Sequence, residues 1–178
     1  MSHYDSTFLS NRFDYSSSVR TTERLIAYFK EPLDSEIGIP AFNKREADHL
    51  RDVKILLKGA CIVFGTLLLV WLIFLAIDPT RAGKGLVLGG VAGIILLGGL
   101  TLMPFEFLFY QFHTILFPAG TWTFPPNSLI ITIYPFQLFH HLAEVILWRT
   151  LFLHLATIGA GYTLLGMLNR SIKSSPPV

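Results

Sequence analysis

His49 and His113 are the residues in this chain best suited to proton chemistry, because imidazole alone has an ordinary pKa that lets it gain and lose protons near neutrality. His49 stands three residues after Glu46 and three before Asp52, so on a helix either carboxylate shares its face and can orient the ring. A neighbouring carboxylate favours the imidazolium form. His113 lies among Phe109, Tyr110, Phe112 and Phe117, and burial there favours the neutral ring, which can act as a base. Taken singly, each histidine also fits a passive side chain in an interfacial polar network. A competing cluster is His140, His141 and Glu144. His140 and Glu144 are i,i+4 and could chelate a divalent cation, but no HExxH motif is present, and neither a metal nor an organic cofactor is expected. Cys61 falls inside a long apolar run and no G-x-S-x-G motif occurs, so covalent catalysis gives way to proton transfer by histidine.

The elements that must position these side chains belong to a membrane. Of 178 residues 52% are hydrophobic and only 15% are charged, which is too few charges for an ordinary soluble domain. Residues 55–77, 85–103 and 147–168 are each apolar over about the 20 residues a helix needs to cross the hydrocarbon layer. The formal net charge of +2 is too small and scattered for a nucleic-acid partner. Arg81 and Lys84 in the 78–84 turn, and Arg170 and Lys173 in the 169–178 tail, place both on the cytoplasmic side. The 104–146 segment, without Lys or Arg, and residues 1–54 then fall outside the cell. The exported 1–54 segment opens on polar residues with no signal sequence, so an additional upstream helix is expected.

Local patterns fill in the outer segments. Thr22 is a candidate cap for a short amphipathic helix with Leu25, Ile26 and Phe29 on one face. Asn43, with Glu46 three residues on, has the form of a capping box that opens a helix running unbroken into the first span. Pro32, Gly38 and Pro40 mark turns around a possible short strand, and a second short strand is expected over 129–134. Turns are expected at Pro118-Ala119-Gly120 and Pro125-Pro126-Asn127, with Pro135 opening the last long helix. Gly85, Gly89 and Gly93 form a small-residue stripe suited to close helix packing, and His154 is expected to face the bundle interior. The fold class is therefore mainly α, a polytopic membrane protein with three visible spans, one more expected upstream, and a small extracytoplasmic α+β cap.

Several blocks resemble the integral membrane family that includes the lipoprotein intramolecular transacylases. They are Thr22 to Phe29, Glu46-x-x-His49-x-x-Asp52-Val53-Lys54, Phe112-His113 followed by Phe117, then Trp122, Leu129-Ile130 and Tyr134-Pro135. Leu50 departs from the methionine usual in the family motif. The resemblance implies a four-helix membrane acyltransferase with His49 and His113 as catalytic residues in aromatic surroundings. Trp122, Phe109, Tyr110, Phe112, Phe117 and Tyr134 would contribute to the substrate pocket, and Asp52 or Glu46 would orient His49. The implied substrate is the lipid-modified N-terminus of lipoproteins, met among membrane lipids. The alternative is a non-catalytic protein of the same fold, a transporter subunit or assembly factor.

Overall fold

The computed structural model describes residues 15–174; calls on 1–14 of the outer segment and 175–178 of the tail lie outside the described residues. Six helices follow in order: α1 Tyr15–Lys30, α2 Lys44–Ile77, α3 Pro79–Thr101, α4 Phe105–Leu116, α5 Leu129–Ile133 and α6 Phe136–Ser174. The chain divides into two compact units, one of Met1–Gly59 with Leu116–Pro135 and the other of Ala60–Ile115 with Phe136–Val178.

The first unit has a small apolar core of Leu25, Tyr28, Ile39, Phe42, Leu50 and Ile130, edged by Phe29, Ile37, Phe124, Leu129 and Tyr134. On α1 the inward face is Thr21, Leu25 and Tyr28, whereas Ile26, expected inside, is 50% exposed. The 3.6-residue period explains the shift, since Thr21, Leu25 and Tyr28 at i, i+4 and i+7 share a stripe that Ile26 misses. The capping box at the start of α2 forms as expected. Asn43 Oδ1 accepts from the Glu46 N–H at 3.0 Å, and Glu46 Oε2 accepts from the Asn43 N–H at 2.9 Å.

No strand occurs among the described residues, which corrects the α+β description of the cap. Residues 31–43 form turns, and 129–133 is a helical turn. A lone five-residue strand with no partner would leave its backbone groups unpaired. As a helix it satisfies them locally: Thr132 N–H donates to Ser128 O at 3.0 Å and Tyr134 N–H to Ile130 O at 2.9 Å. The turns at Pro118 and Pro125 close with Thr121 N–H to Pro118 O at 3.2 Å and Ser128 N–H to Pro125 O at 3.0 Å, with Gly120 at φ 79°.

In the second unit α3 packs against α6. Asp78 caps α3 by accepting from the Arg81 N–H at 2.9 Å, and Pro79 takes the first helical position. The 78–84 turn therefore shrinks to Asp78, with helix from Pro79 onward. The close-packing stripe agrees with the expectation at Gly93 and departs from it at Gly85 and Gly89. A Cβ added at Gly85 or Gly89 would meet nothing within 4 Å, whereas Gly83, Gly90 and Gly93 face α6, and Gly93 lies against the His154 ring. Gly83 and Gly90 are i,i+7 on one helix face, and Gly161 of α6 meets it so closely that a Cβ there would stand 2.8 Å from Gly83 O. Helices α2, α3 and α6 are each long and apolar enough to cross a membrane. Their surfaces carry exposed apolar side chains such as Phe64 at 69% and Phe152 at 71% exposure, surface of the kind a bilayer covers.

Candidate functional site

In the first unit the site is built on the opening turns of α2. His49 is 7% exposed, and its ring lies 4.9 Å from the Phe117 ring and 5.4 Å from the Phe124 ring, centroid to centroid. Glu46, one turn earlier and 1% exposed, bridges two helix starts, because its Oε1 accepts from the Ile130 N–H of α5 at 3.1 Å while Oε2 holds the Asn43 N–H. A carboxylate at the positive ends of two helices is placed favourably for its charge. Arg45 secures the other side of the same loop. Its Nη2 donates to Gly120 O and Thr123 O, both at 2.6 Å, and to Thr123 Oγ1 at 3.3 Å, and its guanidinium lies 5.6 Å from the Phe124 ring. Arg45 and Glu46 thus pin the loop whose Phe117 and Phe124 pack on His49. Asp52 is half-buried farther along α2.

In the second unit α4 presents Phe105, Phe109 and His113 at i, i+4 and i+8. The His113 ring lies 4.2 Å from Phe109 and 5.4 Å from Phe112, and Phe109 in turn packs on Phe136 and Phe139 of α6. Its Nδ1 lies 2.7 Å from Phe109 O. A carbonyl can only accept, so the proton of that bond is on Nδ1, and in the neutral ring Nε2 carries the lone pair. Burial holds the His113 pKa below its ordinary value of 6.5, and the bond to Phe109 opposes the shift without reversing it.

The remaining expected site residues divide between the units. Phe117, 5% exposed, joins His49, while Trp122 and Tyr134 are half-buried in the first unit. Tyr134 Oη lies 3.1 Å from Thr22 Oγ1, and burial pushes the phenol above its ordinary value, with the Thr22 contact opposing. Tyr110 and Phe112 sit on α4 at 55% and 48% exposure. The competing cluster of His140, His141 and Glu144 is spread along α6. His140 packs on Phe105 at 4.9 Å, His141 Nδ1 pairs with Glu144 at 3.7 Å on an exposed surface, and no three metal-binding side chains converge among the described residues. Sequence reasoning missed Arg45 and Phe124. Neither carries a motif signal, because both act through the path of the 117–128 loop.

This chain is similar to a solved structure described as the membrane integral lipoprotein intramolecular transacylase Lit from Bacillus cereus. The two share 28% sequence identity with a TM-score of 0.67, over 89% of this chain and 75% of that one. No curated protein sequence matches the chain at a significant level. The family model for the lipoprotein intramolecular transacylase Lit matches residues 3–139. With that match, and apolar helices long enough to span a bilayer, the chain belongs to the Lit family of membrane-integral acyltransferases.

Proposed function

We propose that this enzyme moves the sn-2 acyl chain of a diacylglyceryl-modified N-terminal cysteine onto that cysteine's own amino group, with His113 as the base and His49 as the stabiliser of developing negative charge. Family membership supports the reaction, and the fixed tautomer of His113 carries the assignment of the base. An α-amino group has an ordinary pKa near 8 and is mostly protonated at neutral pH, so its lone pair must be freed before it can attack an ester. His113 Nε2 removes that proton. The amine then adds to the sn-2 carbonyl, and the carbon–oxygen bond to glycerol breaks. The leaving glycerol oxygen takes a proton back from Nε2, and the nitrogen, cationic once it has attacked, gives its second proton to the imidazole and from there to water, which leaves an amide on the cysteine, a free hydroxyl on the glycerol and one released proton. His49 donates to the oxyanion, a role worth about 3 to 4 kcal/mol per donor.

Both reacting groups belong to one substrate, so the remaining task is to hold amine and ester together, with the aromatic side chains as walls. The reading places the cap and the His113 segment outside the cell and the C-terminus in the cytoplasm. Expression in a bacterium lacking this activity, with fragmentation of a reporter lipoprotein's N-terminal lipopeptide by mass spectrometry, tests it. The expected product is N-acyl, S-monoacylglyceryl cysteine, absent with His49→Ala or His113→Ala. Unchanged diacylglyceryl cysteine with wild-type protein present in the membrane would favour the non-catalytic alternative.

A further inference from the structure

One stretch of α2 in the first unit gathers positive charge that the acyl-transfer chemistry does not use. Arg51, Lys54 and Lys58 lie at i, i+3 and i+7 and so share one helix face, and the C-terminal end of α1 lies on that face. Lys58 Nζ donates to Lys30 O at 3.1 Å. Lys54, fully buried, is shielded by the Tyr28 ring, with Nζ 3.9 Å from its centroid, and donates to Ser35 Oγ at 3.0 Å. Arg51 is exposed, and its charge reaches the buried Tyr28 phenol: burial and Glu31 push that group above its ordinary value while Arg51 pulls it back. Among the described residues no carboxylate forms an ion pair with Lys30, Arg51, Lys54 or Lys58. Lys44 and Arg81 differ in this respect, pairing with Asp48 at 2.8 Å and Asp78 at 3.2 Å.

The position of this face identifies what would neutralise it. Lys58 falls three residues inside the apolar run that begins at Ile55, so its ammonium must reach back toward the headgroup layer. Ile55, one turn after Arg51, and Ile26, one turn before Lys30, are each 50% exposed. Cations flanked by bare aliphatic side chains at the start of a span match a ligand with an anionic head and an apolar body. We propose that Lys30, Arg51 and Lys58 form a binding site for the phosphate of an anionic phospholipid of the surrounding bilayer, with Ile26 and Ile55 against its glyceryl and acyl end. Lys54 stands behind the site and adds positive potential without touching the lipid.

Native mass spectrometry of the full chain in detergent, titrated with phosphatidylglycerol or with phosphatidylcholine of the same acyl chains, tests this independently of acyl transfer. Wild-type protein is expected to retain phosphatidylglycerol in preference to phosphatidylcholine. The preference should weaken about fivefold for each charge removed in Arg51→Gln and Lys58→Gln, and persist in the charge-keeping Arg51→Lys and Lys58→Arg variants. Lys44→Gln, which removes a paired cation elsewhere, should leave retention unchanged. Equal retention of the two lipids by wild-type protein, or an equal loss with Lys44→Gln, would overturn the site. Release of phosphatidylglycerol by millimolar inorganic phosphate would overturn the lipid assignment in favour of a free-phosphate site. Arg51 is exposed, so its single variant decides the matter even where Lys58→Gln fails to fold.

Discussion

The Nδ1–H of His113 is committed to the Phe109 carbonyl, so in the neutral ring the basic lone pair is on Nε2. Because burial depresses this pKa, the neutral base persists to lower pH than for an exposed histidine. The acid limb of kcat/KM is therefore expected below pH 6.5, with activity lost as pH falls through the depressed value; a limb above pH 6.5 would remove His113 from the role. The same shift has a stability sign. Between the folded and unfolded values the unfolded chain binds more protons, so this contribution is present above pH 6.5 and is lost as pH falls below it. His113→Ala is expected to lower the rate by about 10²- to 10⁴-fold with the protein still folded. His49→Ala, removing an oxyanion donor, is expected to cost about 10²- to 10³-fold in kcat, with a smaller change in KM, as steady-state rates on a purified lipopeptide would show. Both histidines stood out as candidates in the sequence because their neighbours, carboxylates for one and aromatics for the other, lie within a few residues. The tautomer of His113 was not legible, because any helical histidine could meet the carbonyl four residues back or turn away from it.

At the scale of elements, Glu46 ties the starts of α2 and α5 together through two backbone N–H groups. Glu46→Ala would leave the buried Ile130 N–H unpaired, a loss of about 1 to 3 kcal/mol, and would remove the cap on the more accessible Asn43 N–H, seen together as a lowered melting temperature in detergent. Its capping-box half was readable, since Asn and Glu three residues apart are a local signal. Its bond to Ile130 was not, because it spans 84 residues and depends on the path of the intervening chain. The strand expected over 129–134 failed for a similar reason: an apolar run this short has no preference until its partners are known, and no strand lies beside it among the described residues. Of the expected glycine stripe Gly93 does lie on the packing face, against His154, whereas Gly85 and Gly89 point away from it and Gly83 and Gly90 take their place. Gly93→Leu is expected to destabilise by about 1 to 3 kcal/mol by displacing the His154 ring, whereas Gly85→Ala should be neutral or slightly stabilising; equal melting temperatures for both variants would refute the packing face.

At the scale of the whole molecule, composition alone sufficed for a multi-pass membrane protein. A chain that is 52% hydrophobic and 15% charged, with three long apolar helices, has no soluble way to cover that surface. The family was legible from the order of short blocks along the chain, and the match over residues 3–139 covers all of them. The proposed reaction relocates an acyl group within one substrate molecule. Purified enzyme mixed with two diacylglyceryl lipopeptides, one differing in peptide sequence and carrying isotope-labelled sn-2 chains, tests this most directly by mass spectrometry of the N-acylated products. The expected result is that every labelled chain reaches the amino group of its own peptide, with no exchange between the two, and that His113→Ala gives no product. Labelled chains on the unlabelled peptide, or N-acylation undiminished in His113→Ala, would contradict it.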